Sequence, residues 1–333
     1  MTKADPTIYD VGELAGFSIA TVSRVLNSPN LVSSDTKEKV LQAIDQLGYV
    51  PKTDARERAR KEIGRIGVIT PFFTLPSFSQ RLRGIAAALI DSPYNLSVYP
   101  VNSQKHLENY YTVLPYSYHV DGLIIVSLPI DDQSVERFKR SKIPVIFIEN
   151  RVSGFSSLEI NNYEGGKLAA LHFHDKGHTH CAYVGNTVLP EYTLRPEEQR
   201  LAGYRDTLMV YGIDLPEAYI KLPVFPPQDQ AKPIHELLDL KTPPTAIFSA
   251  TDDLALQVLK VARERGLQIP NDLAVIGFDN IAIAEYLELT TISQSLTECG
   301  ELAARRLLAE IKNPSKIQEN TNIQLKLIQR NTT

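Results

Sequence analysis

Hydrophobic and polar positions alternate along this chain in two rhythms, and the N-terminal part keeps only the helical one. In "TIYDVGELAGFSIATVSRVLN" (Thr7 to Asn27), Val11, Ala15, Phe17, Val22 and Val25 are apolar. Their spacing places them between two short helices that cross at a tight turn. Thr7 is the first cap, with Asp10 three residues on as a capping-box partner. Gly16 ends that helix, and Ser18 caps the second, "IATVSRVLN". Gly12 is small where the two helices approach. Ser33 or Ser34 caps a third helix, Val40, Ile44 and Leu47 form its apolar stripe, and Gly48 ends it. The pattern is that of a helix-turn-helix. Its second helix exposes Ser18, Ile19, Ala20, Thr21 and Arg24, as a major-groove helix does. Arg24 suits a phosphate or a guanine edge, and Ile19 and Ala20 suit thymine methyl groups. The competing expectation is a generic three-helix bundle.

From Arg65 onward, short buried runs alternate with amphipathic ones. "RIGVIT" precedes "FSQRLRGIAAALI", where Phe78, Leu82, Ile85 and Leu89 share a helix face. "DGLIIVS", "PVIFIE", "CAYVG", "TAIFSA" and "LAVIGFD" are strands of parallel type, separated by helices such as "EEQRLAGYRDTLMVYG" and "DDLALQVLKVARERG". "NIQLKLI" is a last strand-like run. Repeated βα units predict an α/β fold with parallel sheets, in two lobes. Ligands of such sheets bind beyond the carboxyl ends of the strands. Pro71, Phe72 and Phe73 follow the first strand, Ser127 the next, and Glu149 ends "PVIFIE". Thr251 and Asp252 follow "AIFSA", and Asp279 follows "VIGF". Facing lobes would gather these ends around a cleft. Each has a plainer alternative: Thr251 and Asp252 suit a helix N-cap, Asp279-Asn280 a turn, and Glu149 a solvated surface.

Charge sharpens the N-terminal picture. The 333-residue chain has a net charge of −4, but residues 1–65 hold ten Lys/Arg against nine Asp/Glu. The excess is concentrated in "PKTDARERARKEIGR", with six basic residues and three acids. Asp54–Arg58, Glu57–Lys61 and Arg58–Glu62 are i,i+4 pairs of opposite charge, and Gly64 can end the helix they support. Cys181 and Cys299 lie far apart, which fits a reducing cytoplasm. No apolar run approaches the ~20 residues of a membrane helix, and "MTKADPTIYD" has no apolar leader core, so neither membrane nor export is expected. His172, His174, His178 and His180 invite a metal reading. It is set aside, because i and i+2 on a helix point apart. No Gly-rich phosphate loop, nucleophile elbow or catalytic pair stands out, so neither enzyme activity nor a cofactor is expected.

"TIYDVGELAGFSIATVSRVLN" followed by "VSSDTKEKVLQAIDQLGYVP" resembles the DNA-binding headpiece of the LacI/GalR family of bacterial repressors, without a gap from Thr7 to Pro51. Gly12 stands where alanine is usual, a departure expected to change little. "INNYEGGKLAA", "RLAGY", "TAIFSATDDLALQVLKVARERGLQIPNDLAVIGFDN" and "LTTISQ" resemble the periplasmic-binding-protein-like core of that family. The resemblance implies a headpiece at 1–51, a hinge helix at 52–64 and a core at 65–333. Within the core it implies an N-lobe of about 65–160 plus 294–321 and a C-lobe of about 161–293 plus 322–333. DNA contacts are implied for Thr7, Tyr9, Ser18, Ile19, Ala20, Thr21, Ser23, Arg24 and Asn27, and in the hinge for Lys52, Ala55, Arg56 and Arg58. Effector contacts are implied for Glu149, Arg200, Thr251, Asp279 and Gln294 and around Pro71 to Ser77. Ser127 joins them from its strand end. With no Trp in the chain, Phe72, Phe73 or Phe225 would supply a stacking face.

Carboxylates and amides that accept from hydroxyls, beside an arginine that donates, suit a sugar. Thr251 replaces a common asparagine, and Val126 stands where some sugar responders have a polar residue. Arg58 stands where the family expects an apolar residue, usually leucine, that wedges between base pairs. An arginine there suits a narrow minor groove instead. The expectation is a cytoplasmic, homodimeric repressor on a pseudo-palindromic double-stranded operator, controlled by a small-molecule effector. A tetramer is not expected, since no terminal heptad helix follows the core. The alternatives are a cytoplasmic sugar-binding protein and a sugar-acting α/β enzyme.

Overall fold

Three capped helices open the chain. α1 (Ile8–Ala15) has its capping box: the Thr7 side chain accepts from Asp10 N, while Thr7 N donates to Asp10 Oδ2 at 2.6 Å. The Thr7 hydroxyl, which also donates to Asp10 Oδ2 at 2.6 Å, and then the Thr7 N–H hold the Asp10 carboxyl below its ordinary pKa. α2 (Ile19–Asn27) is capped by Ser18, and α3 (Ser34–Leu47) by Ser33. Gly16 and Gly48 adopt φ of 72° and 66°, the left-handed conformation that closes α1 and α3. Val11, Val22, Val25, Val40 and Ile44 are fully buried among the three. Gly12 matters more than the sequence suggested. A Cβ there would stand 2.8 Å from the Phe17 carbonyl oxygen, so an alanine requires the turn to shift.

The computed structural model describes residues 6–28, 31–50, 64–117, 119–186, 190–223, 231–314 and 318–333. The expected hinge at 52–64 lies outside these residues except at Gly64. Gly64 opens strand β1 (Gly64–Pro71) and donates its N–H to Pro93 O at 2.9 Å. A Cβ at Gly64 would meet the Tyr94 ring at 2.5 Å, so only glycine lets the strand start so close to its neighbour.

Two compact units follow from the packing. The first comprises Met1–Phe73, Ile85–Leu158 and Glu301–Asn320, and so includes the three N-terminal helices. The second comprises Thr74–Gly84, Glu159–Gly300 and Thr321–Thr333. The first sheet is built from β1, β2 (Tyr94–Val101), β3 (Gly122–Val126), β4 (Val145–Ile148), β5 (Ser156–Ile160) and β11 (Asn320–Ile323), in the order β11-β5-β4-β3-β1-β2. β1 pairs in parallel with β2 and β3, β3 with β4, and β4 with β5. Helices α4 (Pro76–Leu89), α5 (Gln104–Val113) and α6 (Asp132–Ser141) connect its strands, and α12 (Leu296–Lys312) packs its Leu307 and Ile311 near Gly122.

The second sheet uses β6 (Cys181–Val184), β7 (Ile220–Lys221), β8 (Ala246–Ser249), β9 (Ala274–Asp279), β10 (Thr290–Ser293) and β12 (Lys326–Ile328), in the order β12-β10-β9-β8-β6-β7. Its pairs are parallel except β10 with β12. α7 (Asn162–Asp175), α8 (Pro196–Val210), α9 (Ala231–Leu238), α10 (Asp252–Glu264) and the short α11 (Ala282–Tyr286) complete this unit. The run "NIQLKLI" is not one strand but two, β11 and β12, in different sheets.

Candidate functional site

The N-terminal helices separate a buried face from an exposed one. Ser18, Ile19, Ala20 and Arg24 are exposed on α2, while Val22, Val25 and Leu26 face the core. Thr21, Ser23 and Asn27 are half-buried, and the Asn27 amide donates back to Ser23 O at 2.9 Å. Thr7 is the α1 cap and Tyr9 is exposed beside it. Lys52, Ala55, Arg56 and Arg58 lie outside the described residues.

In both units the strand ends carry backbone that side chains rarely adopt. Phe72 after β1, Ser127 after β3 and Glu149 after β4 have φ of 45°, 54° and 68°. In the second unit Asp279, ending β9, has φ of 120°, and Ser295, two residues after β10, has φ of 47°. Non-glycine residues in this region cost of order 1–3 kcal/mol each and collect where function holds them. Four of the positions named by the sequence, Phe72, Ser127, Glu149 and Asp279, are thus strained, whereas Thr251 after β8 is in ordinary extended conformation. In the first unit β4, β3 and β1 are neighbours, so Glu149, Ser127 and Pro71 to Phe73 end adjacent strands. The Ser127 hydroxyl donates to Glu149 Oε2. Pro71 is buried, Phe72 half-buried and Phe73 exposed. Phe225 lies outside the described residues.

The second unit gathers a denser polar set. Arg200, on α8, is 3 % exposed; its Nε donates to Asn162 Oδ1 at 2.8 Å and its Nη1 to Ala250 O at 2.6 Å. The guanidinium also lies 3.6 Å from the centre of the Phe278 ring. Gln294 donates through Nε2 to Asp279 Oδ1 and accepts from Arg81 Nη2 at 2.8 Å. Thr251 caps α10, accepting from Leu254 N at 3.3 Å, so the plainer alternative weighed for it is occupied. Beside it Asp252 is fully buried, accepting from Ile281 N at 2.8 Å and Thr291 Oγ1 at 2.5 Å. Burial, reinforced by the charge of Asp279, holds the Asp252 carboxyl well above the ordinary range.

Three members of this set were absent from the expectation. Arg81 is 3 % exposed on α4, where the sequence reading placed Leu82. The stripe itself carried the signal, since Arg81 lies three residues after Phe78 and four before Ile85. Asn162 sits in "INNYEGG", one residue after the α7 cap. Glu197 is buried and accepts from Asn186 N and Nδ2; burial raises its pKa. No pattern marked it. The histidines each have separate partners. His172 is bonded to Thr333 Oγ1 at 2.8 Å, His174 stacks on Tyr211, and His178 is bonded to Thr245 Oγ1 at 3.0 Å. Among the described residues no group of His, Cys, Asp and Glu is placed to hold a metal ion, and no helix is long and apolar enough to cross a membrane.

Comparison with known proteins accounts for both parts of the chain. The family of bacterial regulatory proteins, lacI family, matches residues 7–52, and the periplasmic binding protein-like domain matches residues 170–333. Catabolite control protein A of Priestia megaterium is 32% identical over 320 residues, covering 94% of this chain and 95% of its own. A transcriptional regulator CelR–cellobiose complex superposes with a TM-score of 0.69 at 27% identity, covering 98% of this chain and 100% of that one. The lac repressor dimer bound to operator and the anti-inducer ONPF gives a TM-score of 0.68 at 27% identity, covering 98% and 99%. A capped helix-turn-helix ahead of two parallel-sheet units, matched along nearly its whole length by such relatives, places the chain in the LacI family of bacterial regulatory proteins.

Proposed function

We propose that this chain is a sequence-specific DNA-binding transcriptional repressor whose operator affinity is set by a sugar or sugar derivative. The observation that carries the reading is α2: one face is locked into the headpiece core, and the other presents Ser18, Ile19, Ala20 and Arg24 to solvent. Short polar, small apolar and guanidinium groups on one exposed helix match the hydrogen-bond and methyl pattern of major-groove base edges. Thr7, Tyr9, Thr21, Ser23 and Asn27 are assigned to the flanking phosphates and bases, and Lys52, Ala55, Arg56 and Arg58 to the minor groove. Two copies, working in the cytoplasm, would occupy the halves of a pseudo-palindromic operator.

The effector is assigned to the strand ends. Arg200, Asp279 and Gln294 in the second unit offer a guanidinium, a carboxylate and an amide, the groups that recognise vicinal hydroxyls. Ser127, Glu149 and Phe72 of the first unit are further contacts, and Phe73, Thr251 and Phe225 flank them. One similar regulator is complexed with cellobiose and two others hold bound ribose, which supports a sugar effector without fixing which one. Melting-temperature screening against sugars and sugar derivatives tests the assignment, because a ligand of the native state raises apparent stability. A stabilising sugar whose effect is lost in Arg200→Ala supports it. A sugar that stabilises wild type and Arg200→Ala equally refutes the site.

A further inference from the structure

We propose that the α5–α6 face of the first unit is a docking surface for the headpiece, latched by Asp45 and Arg137. Asp45 lies in the last turn of α3, where a carboxylate opposes the helix dipole and no basic residue offsets it. Its partners come from α6 instead. Arg137 Nε lies 2.9 Å from Asp45 Oδ2 and 3.1 Å from Oδ1, and its Nη2 lies 2.6 Å from Oδ2. The two side chains are only 12% and 22% exposed. Arg140, one turn on, donates to the Asp45 carbonyl at 3.1 Å and so caps the end of α3. His119 donates a ring N–H to the Asn27 carbonyl at 2.6 Å, tying down the end of the reading helix as well.

Apolar packing continues across the same face. Val113 and Tyr116 belong to one buried cluster with Val11, Val25, Val40 and Ile44 of the headpiece. Burial, and then the Asp45 carboxylate, push the Tyr116 phenol up to about 12. One contact opposes the docking: Lys37 of α3 lies near Lys105 of α5. The docked headpiece nevertheless leaves Ser18, Ile19, Ala20 and Arg24 exposed, so docking orients the reading face without covering it. It therefore favours operator binding.

The same helix reaches back to the effector strand ends, a link that rests on the effector assignment above. α6 starts one short loop after Ser127 and is capped by Asp131, which accepts from Ser134 N at 2.8 Å. Within that loop Leu128 O accepts from Asn150, the neighbour of Glu149, and Pro129 O accepts from Tyr111. Movement at Ser127 and Glu149 is thus transmitted to the helix that holds Asp45.

The test uses the full-length protein and compares Arg137→Asp, Asp45→Asn and a control, Asp35→Asn. Asp35 is on the same α3 helix, is largely exposed and pairs only locally with Lys39. Each Asn variant removes one negative charge from the headpiece, so electrostatics alone would tighten both on DNA. Docking predicts otherwise: Asp45→Asn and Arg137→Asp weaken operator binding about tenfold, while Asp35→Asn holds or gains. Hydrogen exchange without DNA or effector should show faster exchange at 45–49 and 113–117 in the first two variants and not in the control. Far-UV circular dichroism confirms that each folds. Wild-type exchange in Arg137→Asp, or operator binding by Asp45→Asn as tight as by Asp35→Asn, overturns the proposal. A wild-type protein that binds no operator would overturn the functional reading instead, and the exchange measurement would still decide the docking.

Discussion

Gly203 and Gly166 face each other where α8 crosses α7, and a single methyl group there should disable the effector site from a distance. A Cβ at Gly203 would stand 1.9 Å from the Tyr163 carbonyl oxygen, and one at Gly166 1.9 Å from the Arg200 carbonyl oxygen. Both obstacles are backbone, so no side chain can turn aside. Gly203→Ala must move the helices apart by roughly 1 Å or more, and overpacking of this kind costs about 1–3 kcal/mol or somewhat more. For a unit of this size that lowers the melting temperature by roughly 2–12 °C. Arg200 is one turn before Gly203, and its bonds of 2.8 and 2.6 Å to Asn162 and Ala250 cannot all survive such a shift. A charge-assisted bond to ligand is worth about 1.5–3 kcal/mol, so effector affinity should fall by roughly 10- to 100-fold. Thermal unfolding followed by effector titration at a temperature where the variant is folded separates the two effects. Wild-type melting together with wild-type effector affinity would mean that the two helices absorb the methyl group without moving Arg200. Lowered melting with unchanged affinity would show that Arg200 is not a ligand group.

Two further outcomes are expected. Asp252 has a folded pKa raised above its unfolded value near 3.8, so its contribution to stability is full below that value and is lost as pH rises through the folded one. Denaturant unfolding at about pH 5 and about pH 8 should therefore show a smaller pH dependence in Asp252→Asn than in wild type, whereas parallel curves would contradict it. Arg58→Leu should sharpen the operator bend and flatten the salt dependence of binding, because an apolar wedge replaces a minor-groove cation; unchanged bend and slope would place Arg58 in solvent.

Much of this was legible because its causes are local. The caps at Thr7, Ser18 and Ser33 and the left-handed glycines at 16 and 48 are set by neighbours within a few residues. The strand ends were legible because buried parallel strands stop where polarity begins. What escaped was long-range. Arg81 breaks an apolar stripe, and its contact with Gln294, 213 residues away, gives its burial a reason. Asp45 and Arg137 are separated by 92 residues and look like ordinary surface charges in isolation. "NIQLKLI" divides between two sheets because its halves find different partner strands, which periodicity alone does not reveal. The close approach of Tyr94 to Gly64, 30 residues away in the chain, is likewise invisible to local pattern.

Coupling of DNA reading to a small molecule is the property on which the proposed function rests. The most direct measurement selects binding sites from random duplex DNA with the intact protein, then titrates the best site with and without the sugar found by melting. The expected result is a site of two symmetry-related halves whose affinity changes at least about tenfold when the sugar is present, a coupling of about 1.4 kcal/mol. Failure to enrich any sequence, or an affinity indifferent to every ligand that stabilises the protein, would contradict it.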